Sequence, residues 1–220
     1  MPAPPPIEIG TRQIRETLSP FAISLTEDQI SKIREYTLLL LRWNRSVSLT
    51  SIRDPMEIVE RHFGESMYAC KLLPVENCRL VDIGTGAGFP GLALKIASPG
   101  IHLTLIESNK KKCAFLSEVV RTLGFNDVEI LPERFEEIRP ETVLANIITC
   151  RAVGEFKQLL RWSAIALLRR GHLLLWVGAG DSTRIARTPA WTWQPAVHIP
   201  DSQRRFIVIG RPMDESSVRQ

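Results

Sequence analysis

Between Leu80 and Gly91 the chain reads LVDIGTGAGFPG, an apolar run that ends in an acid and opens into a glycine-rich loop. Glycines at Gly84, Gly86 and Gly88 let a backbone turn tightly and approach a ligand, and a following helix presents free N–H groups. Two spacings overlap. From Gly84 the loop is G-x-G-x-G, the pattern found around S-adenosylmethionine; from Gly86 it is G-x-G-x-x-G, the dinucleotide fingerprint. Strand register separates them. The apolar run stops at Asp82, so the turn begins at Gly84, whereas the dinucleotide motif wants its first glycine directly after the strand. An acid at the loop mouth suits a sulfonium and an ammonium and repels a pyrophosphate, while a buried aspartate without partners would be expensive. Glu107-Ser108 close the next strand-like run, where a carboxylate can accept both ribose hydroxyls, a feature shared by the two cofactor classes. The residues favour the methyl donor. A nicotinamide dinucleotide and a glycine turn that binds nothing are the other two readings.

The acceptor is constrained by Thr149-Cys150-Arg151. Methylation of an exocyclic amine usually uses a D/N-P-P-Y/F run at this point, and none is present. Methylation of pyrimidine C5 needs a cysteine nucleophile. Cys150 stands at a suggestive strand end, but a small buried residue is the plainer reading of it. Guanine N7 carries an exposed lone pair and no proton, so alignment can supply most of the acceleration without a general base. Arg151 could orient such a base through the O6 side or a phosphate, or serve as a structural ion pair, with Glu136 as one partner. The four cysteines and four histidines show no metal-ligand spacing, so no metal is expected.

These residues need elements to hold them. TEDQISKIREYTLLLLRWN opens with a capping box, Thr26 to Gln29, and continues with helical apolar spacing. Asp54-Pro55 starts another helix, and Pro74 ends the helical part. From there strand and helix alternate: CRLVDIG, PGLALKIAS, IHLTLIES, NKKKCAFLSEVVRTLG, VEILPE, VLANIITC, EFKQLLRWSAIALLRRG and HLLLWVG. That alternation is the mark of an α/β fold with a mostly parallel sheet covered on both faces. TWQPAVHIP and RRFIVIG read as an antiparallel hairpin at one sheet edge. The expected organisation is a disordered proline-rich tail over 1–9, a helical extension over 10–74 and a cofactor-binding domain over 75–220. The 220 residues carry a net charge of +4, and the last eighty hold 11 basic against 6 acidic side chains. A basic C-terminal third suits a polyanion such as RNA, or is an ordinary solvated surface. Lys110, Lys111 and Lys112 at a helix start, Arg169-Arg170 and Arg204-Arg205 carry the same two readings. Trp191 and Trp193 leave base stacking open. His62 reads as a structural histidine before a catalyst. No apolar run approaches the roughly 20 residues of a membrane span, and the start lacks a secretory pattern, so a cytoplasmic protein is expected.

Asp82-Ile-Gly-Thr-Gly-Ala-Gly-Phe-Pro-Gly91, Glu107-Ser108 with Lys110-Lys111-Lys112, and Arg151-Ala152, together with the lead-in RWNRSVSLTSIRDPMEIVERHFGES, resemble the bacterial small-subunit ribosomal RNA guanine-N7 methyltransferases, also called glucose-inhibited division protein B. The resemblance implies a Rossmann-like class I methyltransferase fold with a seven-stranded sheet, S-adenosylmethionine as cofactor, and methyl transfer to N7 of one guanosine of the small-subunit RNA or 30S particle. It implies that Asp82, Gly84, Gly86, Gly88 and Phe89 form the donor loop, with Gly84 and Phe89 on the methionine and ribose side. It places Glu107 and Ser108 at the ribose, Phe135 and Glu136 about the adenine, and Arg151 beside donor and incoming base. Lys110 to Lys112, Arg204 and Arg205 are the expected RNA contacts. Two positions depart from the family pattern: Val177 stands where a lysine is expected before Gly178, and Pro132-Glu133 where a small residue begins the third-strand motif. A monomer is expected. The rival readings are a methyltransferase acting on another RNA, a protein or a small molecule, a nicotinamide-dependent oxidoreductase, and a non-catalytic ribosome-assembly protein.

Overall fold

The computed structural model describes residues 9–151 and 156–213. Of the tail expected over 1–9, residues 1–8 lie outside the described residues and Ile9 is buried. Ala152 and Glu155 also lie outside them.

Residues 11–71 form only helices. After α1 (Thr11–Leu18), α2 (Glu27–Trp43) starts at the expected capping box: Thr26 accepts from the Gln29 N–H, and the Gln29 side chain accepts from the Thr26 N–H. Its apolar side buries Ile30, Ile33, Tyr36 and Leu40. Asp54 caps the next helical run, α3 over 55–71, by accepting from the Glu57 N–H at 2.8 Å. The middle of that run, Val59–Gly64, is wound as a π-helix, a form that favours functional positions.

The remaining elements alternate as β1 (Arg79–Ile83), α4 (Gly91–Ala97), β2 (His102–Ile106), α5 (Lys110–Thr122), β3 (Val128–Leu131), β4 (Ala145–Arg151), α6 (Phe156–Ala166), β5 (Leu167–Gly178), α7 (Ala179–Ile185), β6 (Trp191–Trp193), β7 (Val197–His198) and β8 (Arg205–Pro212). The sheet order is β3-β2-β1-β4-β5-β8-β6, parallel up to β5, with β8 antiparallel to it. Eight strands stand where seven were expected. Pro195 interrupts TWQPAVH, and the two pieces, β6 and β7, lie end to end along β8. Both arms of the hairpin are therefore present, one of them broken.

A second difference concerns α6, which stops at Ala166 where apolar helical spacing runs on to Gly171. Leu167 pairs with Ala145, the register then shifts, and Arg170 adopts φ 66° before His172 pairs with Ile147. Pairing with β4 overrides local helix spacing here.

One core lies on each face of the sheet. α6 and α7 cover one face over Val81, Ile148, Leu175 and Val208. On the other face α4 and α5 share a single core with the N-terminal helices, running from Ile9 through Tyr36 and Phe63 to Leu105 and Ile209. The helical lead-in thus packs directly behind the glycine loop.

Candidate active site

The loop after β1 is held from below by Asp82. Its carboxylate is completely buried and accepts three hydrogen bonds: Oδ2 from the Thr85 hydroxyl at 2.5 Å and the Gly91 N–H at 2.9 Å, and Oδ1 from the Thr149 hydroxyl of β4 at 2.7 Å. This corrects the expectation that Asp82 stands at the loop mouth facing a cation. Internal donors satisfy it, so it ties both ends of the loop and the neighbouring strand together instead of touching a ligand. Burial raises its pKa from 3.8 to about 6, with the two hydroxyls, the Gly91 N–H and the Arg151 charge opposing the rise. Between those values the folded protein keeps a proton that the unfolded chain has lost. The group's contribution to stability therefore declines as pH rises through that window, by at most about 3 kcal/mol, and is flat above it. In Asp82→Asn the amide oxygen can face Gly91 and the NH2 can face the Thr149 hydroxyl. Its unfolding free energy should improve relative to wild type between pH 4 and 7 in denaturant titrations. A constant difference across that range would show that Asp82 titrates normally.

Above Asp82 the turn is open. Gly84 and Gly86 have φ of 64° and 60°, and a Cβ on Gly84 would meet nothing within 4 Å. On its inner side the loop is braced by the helical lead-in. The Tyr36 hydroxyl donates to the Ala87 carbonyl at 2.5 Å, and the Tyr36 ring stacks on Phe89 at 5.2 Å. Phe63 meets Phe89 edge-on, and His62 stacks on it at 4.8 Å while its Nε2 pairs with the Thr50 hydroxyl. Burial first, then the charges of Arg151 and Arg61, lower the His62 pKa to about 3, so the ring is neutral and acts as packing.

Strand order sets a row of groups along the carboxyl ends. Beside the Gly84–Phe89 loop, Glu107 follows β2, its two oxygens accepting from the Gly86 N–H at 3.0 Å and the Asn109 N–H at 2.8 Å. Each oxygen keeps lone-pair capacity for a further donor. Ser108 is exposed next to it. After β3 the short turn Phe135–Glu137 sets a half-buried Phe135 edge-on to Trp162, with Glu136 exposed. Neighbouring strands lie about 4.8 Å apart, so this row spans the width of a nucleoside. Open glycine loop, carboxylate and aromatic edge fit S-adenosylmethionine.

On the other flank of the loop lies a cavity of about 270 Å³, lined by Glu65, Cys150, Arg151, Phe156, Trp176, Val177, Asp181 and Arg205 among others. Arg151 donates to the Arg61 carbonyl at 3.0 Å and to Glu65 Oε2 at 3.2 Å. Glu65, not Glu136, is its acidic partner. Arg205 reaches the same carboxylate, Nε to Oε1 at 2.7 Å. Arg205 is half-buried and ion-paired within the fold, so an RNA phosphate would share it with Glu65. Cys150 is buried with Sγ donating to the Ile83 carbonyl at 3.2 Å, and burial followed by the Asp82 charge pushes its thiol well above the usual range, which removes the nucleophile reading.

A family model described as GidB, rRNA small subunit methyltransferase G, matches residues 29–195. Ribosomal RNA small subunit methyltransferase G of Chloroflexus aggregans is 35% identical over 211 residues, covering 90% of this chain and 88% of that one. The protein of the same name from Xylella fastidiosa strain 9a5c is 39% identical over 180 residues, 80% of this chain and 84% of its own. The chain belongs to the GidB family. Among solved structures, a SAM-dependent methyltransferase from Aquifex aeolicus aligns with a TM-score of 0.58 at 17% identity, covering 71% of this chain and 93% of that one. An O-methyltransferase from neocarzinostatin biosynthesis, in complex with S-adenosylmethionine, aligns at 0.53 with 16% identity over 61% of this chain and 49% of its own. The fold is the class I methyltransferase fold.

In this GidB family member the remaining candidate residues fall in four places. Lys110 and Lys111 are exposed and Lys112 half-buried at the start of α5, where Asn109 caps the helix by accepting from the Lys111 and Lys112 N–H groups. They stand on the β2 side, away from the arginine-lined cavity on the β4–β5–β8 side. Arg204 is exposed beside that cavity's Arg205. Arg169 and Arg170 lie at the opposite end of β5, where with Arg211 they line a separate groove. Trp191 and Trp193 stack on each other at 5.3 Å, and Trp193 covers Gly210, so neither presents a free face as a stacking platform on both sides. Glu65 escaped the sequence reading. Nothing local singled it out: in ERHFGESM it stands among Glu60, Arg61, His62 and Ser66, and only the fold shows that Glu65 is the buried acid. Among the described residues no helix is long and apolar enough to cross a membrane, and no group of three or more His, Cys, Asp or Glu is placed to hold a metal.

Proposed function

We propose that this chain transfers a methyl group from S-adenosylmethionine to N7 of a guanine in small-subunit ribosomal RNA, as a cytoplasmic monomer. One observation carries the choice of atom: among the described residues, every titratable group lining the acceptor cavity is already engaged. Glu65 is paired with Arg151 and Arg205, Asp181 with Arg184 at 3.1 Å, and the Cys150 thiol with a carbonyl. Such a wall orients a base and takes no proton from it, which suits an atom with a bare lone pair. S-adenosylmethionine, when bound, supplies an electrophilic methyl carbon on a sulfonium. The Gly84–Phe89 turn and Glu107 hold the donor, and Arg151 orients guanine through O6 or the flanking phosphate.

Incubation with tritiated donor and 30S subunits, naked small-subunit RNA or ribosomal protein tests this reading. Label should enter RNA and appear as 7-methylguanosine on nucleoside analysis. Label in protein alone, or tight NAD(H) binding without any response to S-adenosylhomocysteine, would overturn it.

A further inference from the structure

We propose that Glu65 is a positioning residue for the acceptor base: its carboxylate holds Arg151 and Arg205 together as one wall of the 270 Å³ cavity and offsets one of their two charges. The proposal rests on the guanine-methylation reading above. Arg151 ends β4 and Arg205 begins β8, with β5 between them, so two guanidinium groups from separate strands converge on one anion. Left alone in a half-buried site they would repel. Glu65 itself is fixed at both ends. Its side chain is only 2% exposed, and its backbone carbonyl accepts from the Trp176 indole N–H at 2.9 Å, tying α3 to β5. The Oε1 contact with Arg205 is within ion-pair distance without an aligned hydrogen bond. A buried ion pair is a poor source of stability compared with apolar packing of the same volume. Set beside a cavity at the carboxyl end of the sheet, this triad has a functional reason to exist.

That reason is the direction of charge movement. The N7 lone pair forms the new N–C bond while the C–S bond breaks and its electron pair stays on sulfur. No proton moves, and the positive charge passes from sulfur to the purine. Two unopposed arginines beside the purine would resist that transfer; a third in the neighbourhood, Arg61, is paired with Glu57 at 2.8 Å and adds less to the field. The Glu65 carboxylate leaves the Arg151–Arg205 wall with one net positive charge. That is enough to bind O6 or phosphate and weaker in its opposition to the cationic base. A fixed charge arranged before reaction acts without reorganisation when the charge moves.

Full-length wild type, Glu65→Gln and Glu65→Asp are compared by single-turnover transfer from tritiated donor to 30S subunits, by S-adenosylhomocysteine titration and by melting temperature. Glu65→Gln should lower the transfer rate at saturating donor and subunits by about 10²-fold, the effect of losing one preorganised electrostatic contact. Its S-adenosylhomocysteine affinity should stay within about threefold of wild type, since the polar contacts of Glu65 go to Arg151, Arg205 and Trp176 and none to the Gly84–Phe89 turn or Glu107. Glu65→Asp should recover at least about tenfold of the loss. A Gln variant that transfers within threefold of wild type, or that loses rate and donor affinity in parallel, would overturn the proposal. Should the Gln variant fail to fold, Arg205→Gln decides, because it leaves Glu65 and Arg151 as a one-to-one pair. It should raise the subunit concentration at half-maximal rate by about tenfold with a smaller change in maximal rate, and unaltered kinetics would count against the wall. Wild type that labels no RNA would end the acceptor assignment first, and this proposal with it.

Discussion

Arg151→Ala is expected to reduce methyl transfer by about 10²- to 10³-fold while lowering stability by only about 1–3 kcal/mol. The two effects separate because of what stays behind. Arg151 gives two hydrogen bonds, to the Arg61 carbonyl and to Glu65, and both are lost in the variant. Glu65 loses its aligned hydrogen bond but keeps an ion-pair partner, since Arg205 remains 2.7 Å from its other oxygen. The heavy penalty for a buried charge with no partner is therefore avoided. The catalytic loss has no such substitute. Arg151 closes the cavity on the side nearest β1, and the strand order β1-β4-β5-β8 puts Arg205 two strands farther from the donor loop. A guanine presenting N7 to that loop shows its O6 edge to Arg151 first. Single-turnover transfer with saturating donor, together with a denaturant titration, measures both quantities. Equal losses in rate and in folded fraction would make Arg151 a structural ion-pair member and no more.

The arginine wall also bears on Val177, which stands where the family resemblance leads one to expect a lysine. Val177 lines the cavity without a charge, and its neighbour Gly178 pairs in register with Arg205 on β8. Paired residues share a sheet face and successive ones alternate, so Arg205 lies on the face of Gly178 and opposite to Val177, whose own partner is Phe206; Arg205 does not replace a cation at 177. Arg184 is not free for the task. It pairs with Asp181 and lies over the Phe156 ring at 4.9 Å.

The proposed donor side could be read from the sequence because its parts are local. One turn, Gly84 to Phe89, and one acid at the end of the following strand announce themselves within thirty residues, and the Thr26 and Asp54 caps mark helix starts by short-range chemistry. The acceptor side could not, because its partners are distant along the chain. Arg151 meets Glu65 across 86 residues, Trp176 meets the Glu65 carbonyl across 111, and Asp82 finds the Thr149 hydroxyl across 67. A sequence shows that Asp82 is an acid after a strand. It does not show that two threonine hydroxyls and an N–H will be waiting for it, so an exposed ligand-facing role and a buried tie look alike. The same limit misplaced the end of α6, where the apolar spacing of LLRRG is compatible with helix until a neighbouring strand claims it.

Gly88→Ala is expected to destabilise the protein by about 3–5 kcal/mol and to abolish donor binding, for reasons that Gly84→Ala does not share. Gly88 has φ 88°, and a Cβ there would stand 2.1 Å from the Tyr36 hydroxyl and 2.6 Å from Leu92. Leu92 could turn its terminal methyl aside, but Tyr36 cannot withdraw. Tyr36 is fully buried, donates to the Ala87 carbonyl, and is sandwiched between Phe89 and Phe63. Moving it would displace the peptide next to the substitution and the ring that braces the loop. The methyl group therefore disrupts the lead-in, the loop and the donor site together. At Gly84 the φ is 64° but the space around a Cβ is empty, so the fold should lose only about 1 kcal/mol of backbone strain. The new methyl group there projects into the open side of the turn, the proposed seat of the donor. Melting temperature and S-adenosylhomocysteine titration on the two variants resolve the cases. Gly88→Ala loses both stability and affinity, and Gly84→Ala loses affinity with near-normal melting. A Gly88→Ala protein that melts with wild type would mean that Tyr36 does not press against the loop. The helical lead-in would then have no part in shaping the donor site.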